Sequence, residues 1–159
     1  MSEIPLTQGK VVLVDDEDFE WLSQWKWLYH GQGYAARNTG KYPCQKTILM
    51  HRIIVNVPED METDHINHNK LDNRRENLRI CTHAENSKNR SIQVNDQSGF
   101  KGIYWHKQNH KWVAQISVDG KCLYLGSFDS PKEAARFYDA AVLAYHGDFA
   151  NPNFEVTYG

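Results

Sequence analysis

From Thr63 to Asn89 the chain reads TDHINHNKLDNRRENLRICTHAENSKN, with three histidines, two aspartates, two glutamates and six asparagines among few apolar residues. So polar a run has little with which to build a core, and its middle, NHNKLDNRRENL, is dense in side chains that bond their own backbone. It reads as a long loop. METDHI before it reads as the tail of a strand and RICT after it as a second short strand. Thr82 and Glu85 then form a T-x-x-E capping box, which starts a helix. The order is strand, long loop, strand, helix, with Asn86 and Asn89 three apart on one helical face.

In that order Asp64, at a strand end, and Asn86, in the first turns of the helix, can converge. Two hard oxygen donors with open positions suit Mg²⁺, which keeps waters and accepts substrate phosphate. A histidine beside such a cation, His65, fits phosphodiester hydrolysis, because imidazole takes a proton from water near neutral pH. The residues DH at 64 and 65, ENLR at 76–79 and ENSKN at 85–89 resemble the HNH (His-Me finger, ββα-metal) endonucleases of the phage and intron homing type. The resemblance spans roughly 48–90. It implies His65 as general base, Asp64 and Asn86 as the metal pair, and Asn77 as the catalytic-loop tether that orients His65. His51 and Asn89 are further active-site candidates, whereas His68 and His83 are expected to be exposed. The ion implied is Mg²⁺ or Mn²⁺.

The remainder of the chain places this core. No apolar run is long enough to span a membrane and MSEIPLTQGK lacks an apolar signal core, so a cytoplasmic protein is expected, with no membrane partner. Cys44, Cys81 and Cys122 are odd in number and widely spaced, which supports neither a disulfide framework nor thiolate-bound zinc. The formal net charge is −2, yet between 65 and 126 ten Lys and Arg face five Asp and Glu, a local excess of +5 that is compatible with a phosphate-tracking face. Residues 10–62 read as a small α/β unit: KVVLV as a strand, DDEDFEWLSQW as a short helix, then strand-like KWLYH, GYAARN and KTILM. HRIIVNV fits helix or strand. The 1–50 segment is expected to support the nuclease fold, with Arg37, Lys41 or Lys46 as additional DNA contacts.

Residues 91–98 read as a linker. Beyond it GIYWH, KWVAQISV and CLYLGSF read as three antiparallel strands, with Asp119-Gly120 as a hairpin turn. SPKEAARFYDAAVLAYHG follows as a helix, with Ser130 as N-cap, Pro131 first, Glu133 closing a capping box and Gly147 past the end. Its apolar stripe is expected at Ala134, Tyr138, Ala141, Val142 and Tyr145. KGI at 101–103, KWVAQI, YLGSF, EAARFYDAA, Asn153 and Phe154 resemble the apetala-two/ethylene-response-factor DNA-binding domain, known from plant transcription factors and from phage HNH nucleases. That resemblance implies a sheet laid in the major groove of double-stranded DNA, through Lys101, Tyr104, His106, Lys111, Trp112, Gln115, Ser117, Lys121 and Tyr124. No arginine lies between 91 and 135, so bidentate guanine reading of the plant type is not expected.

The chain is thus expected to be α+β: a small N-terminal α/β unit leading into a ββα-metal nuclease core, then a three-stranded antiparallel sheet with one packed helix. The HNH domain takes 1–90 (1–50 supporting, 51–90 core), and the apetala-two/ethylene-response-factor-type domain takes 99–159. The expected function is a metal-dependent DNA endonuclease whose site is recognised mainly by the C-terminal sheet, acting as a monomer without a protein partner in a bacterial host's cytoplasm, with a phage as one source of the gene. A DNA-binding regulator with an inactive HNH site is the alternative, and an RNA-processing nuclease a third reading.

Overall fold

The computed structural model describes residues 1–41, 43–89 and 97–155. Helices and small antiparallel sheets alternate in two compact units, Met1–Asn86 and Ser87–Gly159. Of the expected linker, residues 91–96 lie outside the described residues.

The first unit opens with an antiparallel pair, β1 (Ser2–Pro5) and β2 (Val11–Val14). β2 is the apolar KVVLV run. β1, carrying Glu3 and Pro5, has no strand signal of its own and is recruited by pairing with β2. Helix α1 (Asp16–Leu22) holds Asp16, Glu17 and Asp18 in its first turn, where the helix dipole favours them. Strands β3 (Leu28–Tyr29), β4 (Ala35–Thr39) and β5 (Lys46–Leu49) form a sheet in that order, and α2 (Met50–Ile54) resolves the ambiguous HRIIVNV as helix. Then come β6 (Glu62–His65), β7 (Leu78–Cys81) and α3 (His83–Lys88). β6 and β7 pair from Glu62 opposite Cys81 to His65 opposite Leu78. At α3 the capping box forms: Glu85 N–H donates to Thr82 Oγ1 at 3.2 Å and Thr82 N–H to Glu85 Oε2 at 2.8 Å.

Val12, Val14, Leu22, Trp27, Met50, Ile54 and Leu78 belong to one buried cluster, so the N-terminal fifty residues and the ββα segment share a core. Each such side chain contributes about 1.5–3 kcal/mol by leaving water. The polar loop is fastened to that core from outside. Leu13 of β2 donates its N–H to Leu71 O and accepts from Asn73 N–H, both at 2.8 Å. Arg75 grips the buried Asp18 carboxylate through Nε (2.8 Å) and Nη2 (2.7 Å), and Trp21 Nε1 donates to the same carboxylate at 2.9 Å. Support of the loop by the N-terminal segment therefore has a definite form: the two Leu13 backbone bonds, the Arg75 ion pairs with Asp18 and Glu17, and the Arg75 N–H bond to Asp15 Oδ2 at 2.8 Å.

In the second unit β8 (Ile103–His106), β9 (Lys111–Val118) and β10 (Lys121–Phe128) form an antiparallel sheet in the order β10-β9-β8, and α4 (Pro131–His146) packs on it. Asp119 and Gly120 at φ 49° and 75° make the expected hairpin turn. Two expectations about α4 are corrected. Ser130 sits at the N-cap without a side-chain cap bond, so its box with Glu133 is not made. The buried stripe runs through Ala134, Ala135, Asp139 and Val142, and Tyr145 is exposed. Asp139 is drawn inward because its carboxylate accepts N–H bonds from Asn153 and Phe154, at 2.7 and 2.9 Å, and so ties down the C-terminal segment.

Candidate active site

The loop between β6 and β7 holds itself together with its short polar side chains. Asn67 Oδ1 accepts from Asn69 N–H and Asn69 Oδ1 from Leu71 N–H, two local turns closed at 2.9 and 3.1 Å. Asp72 accepts from Asn67 Nδ2 and from Arg74 Nε and Nη2 at 2.7–2.8 Å, and this guanidinium holds its carboxyl below the usual carboxylate range. Asn77 spans the loop: Nδ2 donates to Asp72 O at 2.7 Å, and Oδ1 accepts from Asn67 N–H at 2.9 Å.

His65 closes β6 and is buried. Its Nε2 lies 2.9 Å from Oδ1 of Asn73, a residue fully removed from solvent. Its ring stands 5.1 Å, edge-on, from the ring of His51 on α2 and 6.0 Å from that of Tyr34, and Lys70 Nζ lies 4.6 Å over Tyr34. Burial lowers the pKa of His65, against the Asn73 bond and the charges of Asp64 and Asp72, so the neutral imidazole is favoured. Burial does more at His51, pushed down to about 3, with His65, Arg52 and Lys70 adding to it. His51 Nδ1 is also buried without a hydrogen-bond partner among the described residues.

His51 consequently sets an acid limit on stability. Below pH 6.5 the unfolded chain binds a proton at His51 that the folded chain refuses until about pH 3, so stability is lost as pH falls through that window. The expected slope is about 1.4 kcal/mol per pH unit once the unfolded histidine is charged, and His65 acts in the same direction. Thermal unfolding followed between neutral and mildly acid pH should show this loss, and His51→Phe should flatten it. An unchanged slope in that variant would place the acid sensitivity elsewhere.

The expected metal pair is brought to one strand face without being joined. Asp64 Oδ2 accepts from Arg79 Nε at 2.8 Å and Nη2 at 2.6 Å. Asn86 Nδ2 donates to Glu62 Oε2 at 2.6 Å, and His83 Nδ1 lies 2.8 Å from Glu62 Oε1. Glu62 and Asp64 are two apart in β6 and so share a face, which sets Asn86 beside Asp64's side of the strand. These hydrogen bonds hold the Glu62 carboxyl below its ordinary range, Asn86 contributing most. The donors, a carboxylate and a carboxamide oxygen with a second carboxylate nearby, fit a hard divalent cation by chemical type. Among the described residues no group of three His, Cys, Asp or Glu is poised to hold a metal. Asn89 is buried and lies in the second unit, where its carbonyl accepts from Asn151 Nδ2 at 3.1 Å. His83 is exposed, as is His68. Arg37 stacks on Trp25 at 4.3 Å. Asn73, Glu62, Arg79 and Tyr34 lay outside the sequence expectation, since nothing in their spacing separates them from ordinary loop and strand residues.

In the second unit, strand alternation sorts the expected DNA contacts. Tyr104 pairs with Val113, and Gln115 and Ser117 with Tyr124 and Cys122, so Tyr104, His106, Lys111, Gln115, Ser117 and Tyr124 share the sheet face away from α4. Trp112 pairs with Trp105 and packs against the core cluster of Ile103 and Ala114 on the helix side. Its expected place on the open face is corrected. Lys121 has the parity of Leu123 and Ile116, which is also the helix side. Lys101 precedes the sheet, and its Nζ donates to Asn151 O at 2.8 Å; burial lowers its pKa to about 8, which suits a structural tie better than a phosphate contact. Lys111 pairs with Asp129 at the surface.

A family model described as HNH endonuclease matches residues 49–88, and one described as AP2 domain matches residues 98–148. The chain is similar to an uncharacterized HNH endonuclease, L560, of Acanthamoeba polyphaga mimivirus, 29% identical over 147 residues that cover 92% of this chain and 76% of that one. It is similar also to Protein 3.8 of Escherichia phage T7, 32% identical over 94 residues, covering 59% of this chain and 77% of the phage protein. The second unit is similar to the AP2-like ethylene-responsive transcription factor ANT of Arabidopsis thaliana, 38% identical over 60 residues, 36% of this chain but 11% of that factor.

Proposed function

Since the chain belongs to the HNH endonuclease family and carries an AP2 domain behind the nuclease segment, we propose that it is a divalent-metal-dependent DNA endonuclease directed to its site mainly by the C-terminal sheet. The observation that carries this is His65: a buried imidazole kept neutral, set at the end of β6 by a bonded loop, inside the stretch that the HNH model matches. His65 takes a proton from the attacking water, the water oxygen bonds to phosphorus, and the bond to the 3′ oxygen breaks. The leaving oxygen takes a proton from solvent, so the products carry 5′ phosphate and 3′ hydroxyl ends. Asp64 and Asn86 would hold Mg²⁺ or Mn²⁺ through their oxygens. When bound, the ion offsets charge on the scissile phosphate and the leaving oxygen. Asn77 keeps the loop closed behind His65. Tyr104, His106, Lys111, Gln115, Ser117 and Tyr124 present donors and rings to double-stranded DNA. One site per chain acting as a monomer gives a nick.

One observation favours the alternative of a DNA-binding regulator with an inactive site: the Arg79 guanidinium already engages Asp64. Incubating supercoiled plasmid with the protein decides between them. Nicking with Mg²⁺ or Mn²⁺ that EDTA stops is the expected result. A gel shift of duplex DNA with no cleavage under any ion would overturn the endonuclease, and RNA outcompeting duplex DNA would redirect it to RNA.

A further inference from the structure

We propose that Asn73 is the positioning residue for His65, its side-chain oxygen accepting the Nε2 proton so that the imidazole turns its Nδ1 lone pair to the attacking water. The proposal rests on the endonuclease function above. A neutral imidazole has one donor and one acceptor nitrogen, and the partner of one decides the role of the other. Held in the opposite tautomer, His65 would present an N–H to the water and could not accept its proton.

Three observations single out Asn73. Its Oδ1 is 2.9 Å from His65 Nε2, and the whole residue is buried. Its backbone is clamped, because Asn73 N–H donates to Leu13 O of β2 and the neighbouring Leu71 O accepts from Leu13 N–H. The amide can therefore not follow the loop away from the histidine. Third, Asn73 Nδ2 is buried with no partner among the described residues. An unsatisfied buried donor costs about 1–3 kcal/mol, which an aliphatic side chain of similar size would avoid. Stability alone does not account for an asparagine there; an acceptor for Nε2–H does. The N-terminal strand β2 thereby acts on the chemistry through one backbone bond and one side-chain bond.

Nitrogen NMR of the His65 ring in the full-length, metal-free protein near neutral pH reads the tautomer directly. The wild type is expected to show Nε2 protonated and Nδ1 bare. In Asn73→Leu and Asn73→Ala that state should give way to a tautomer mixture, with kcat for nicking down about 100-fold or more and KM little changed. Asn73→Asp, which keeps the acceptor, should restore the wild-type tautomer and most of the rate. A wild-type ring protonated at Nδ1 overturns the proposal whether or not the variants fold. So does an Asn73→Leu protein that nicks at the wild-type rate with its tautomer intact. A wild type that never cleaves, yet loses the Nε2–H tautomer on Asn73→Leu, overturns the endonuclease and leaves the positioning role standing.

Discussion

Replacing His65 with alanine is expected to lower the nicking rate by about two to four orders of magnitude, the span that a positioned general base supplies, while duplex binding stays near wild type. The imidazole at the end of β6 is able to accept a proton from water because burial favours its neutral form. Substrate affinity is expected to survive because the candidate DNA-contacting side chains lie on β8, β9 and β10, in a unit with its own core. Removing the ring also strips Asn73 Oδ1 of its donor, so the melting temperature should be followed alongside the rate. Nicking by His65→Ala at the wild-type rate would show that another group takes the proton, with His51 the nearest imidazole. Full loss of DNA binding in the same variant would mean instead that the first unit contributes the main contacts.

The second large effect is one of stability. Gly102 has φ +69°, and a Cβ built there would lie 2.1 Å from Tyr138 Cε2 and 2.7 Å from Gln115 O. Gly102 O also accepts from Gln115 N–H at 2.9 Å, so the backbone cannot retreat without losing that bond. Gly102→Ala combines the left-handed penalty of an L side chain with overpacking against backbone and a core ring, and should destabilise the second unit by about 4 kcal/mol or more. Gly120→Ala is the control. It has φ +75° with nothing within 4 Å of the added carbon, so only the backbone penalty of about 1 kcal/mol applies. Thermal unfolding read in the near-ultraviolet signal of Trp105 and Trp112 checks both. Gly102→Ala should also abolish the gel shift. Equal melting temperatures for the two variants would refute the packing account.

Much of this molecule could be read from local chemistry. The T-x-x-E box at α3, the Asp119-Gly120 hairpin and the β6-loop-β7-α3 order all rest on bonds between residues close in the chain, and all are present. The Ser130 box failed because a capping signal says which bond is available, not whether the side chain takes it. Grouping Trp112 with Lys111, Gln115 and Ser117 misplaces it, because alternation along β9 puts it on the opposite face; which of the two faces meets the helix is a separate choice. That choice is made by α4 and its partners across the sheet.

The site divides the same way. Asp64, His65 and Asn86 could be singled out because their residue types and placement carry a chemistry, and Asn77 through the resemblance to the HNH endonucleases. The partners that set their states could not, since each lies on another element or is one polar residue among many. Arg79 reaches Asp64 across the β6–β7 pairing, Glu62 takes Asn86, His51 comes from α2, and Asn73 owes its place beside His65 to a strand sixty residues earlier. The sequence by itself determined most of the secondary elements, β1 and α2 excepted, with the ββα order and the residues able to do acid-base and ligand chemistry, because those depend on short-range bonds and on side-chain identity. Only the tertiary structure decided which groups are buried, which nitrogen of His65 is held and which face of the second sheet is open, because burial and long-range hydrogen bonds exist only once distant segments meet.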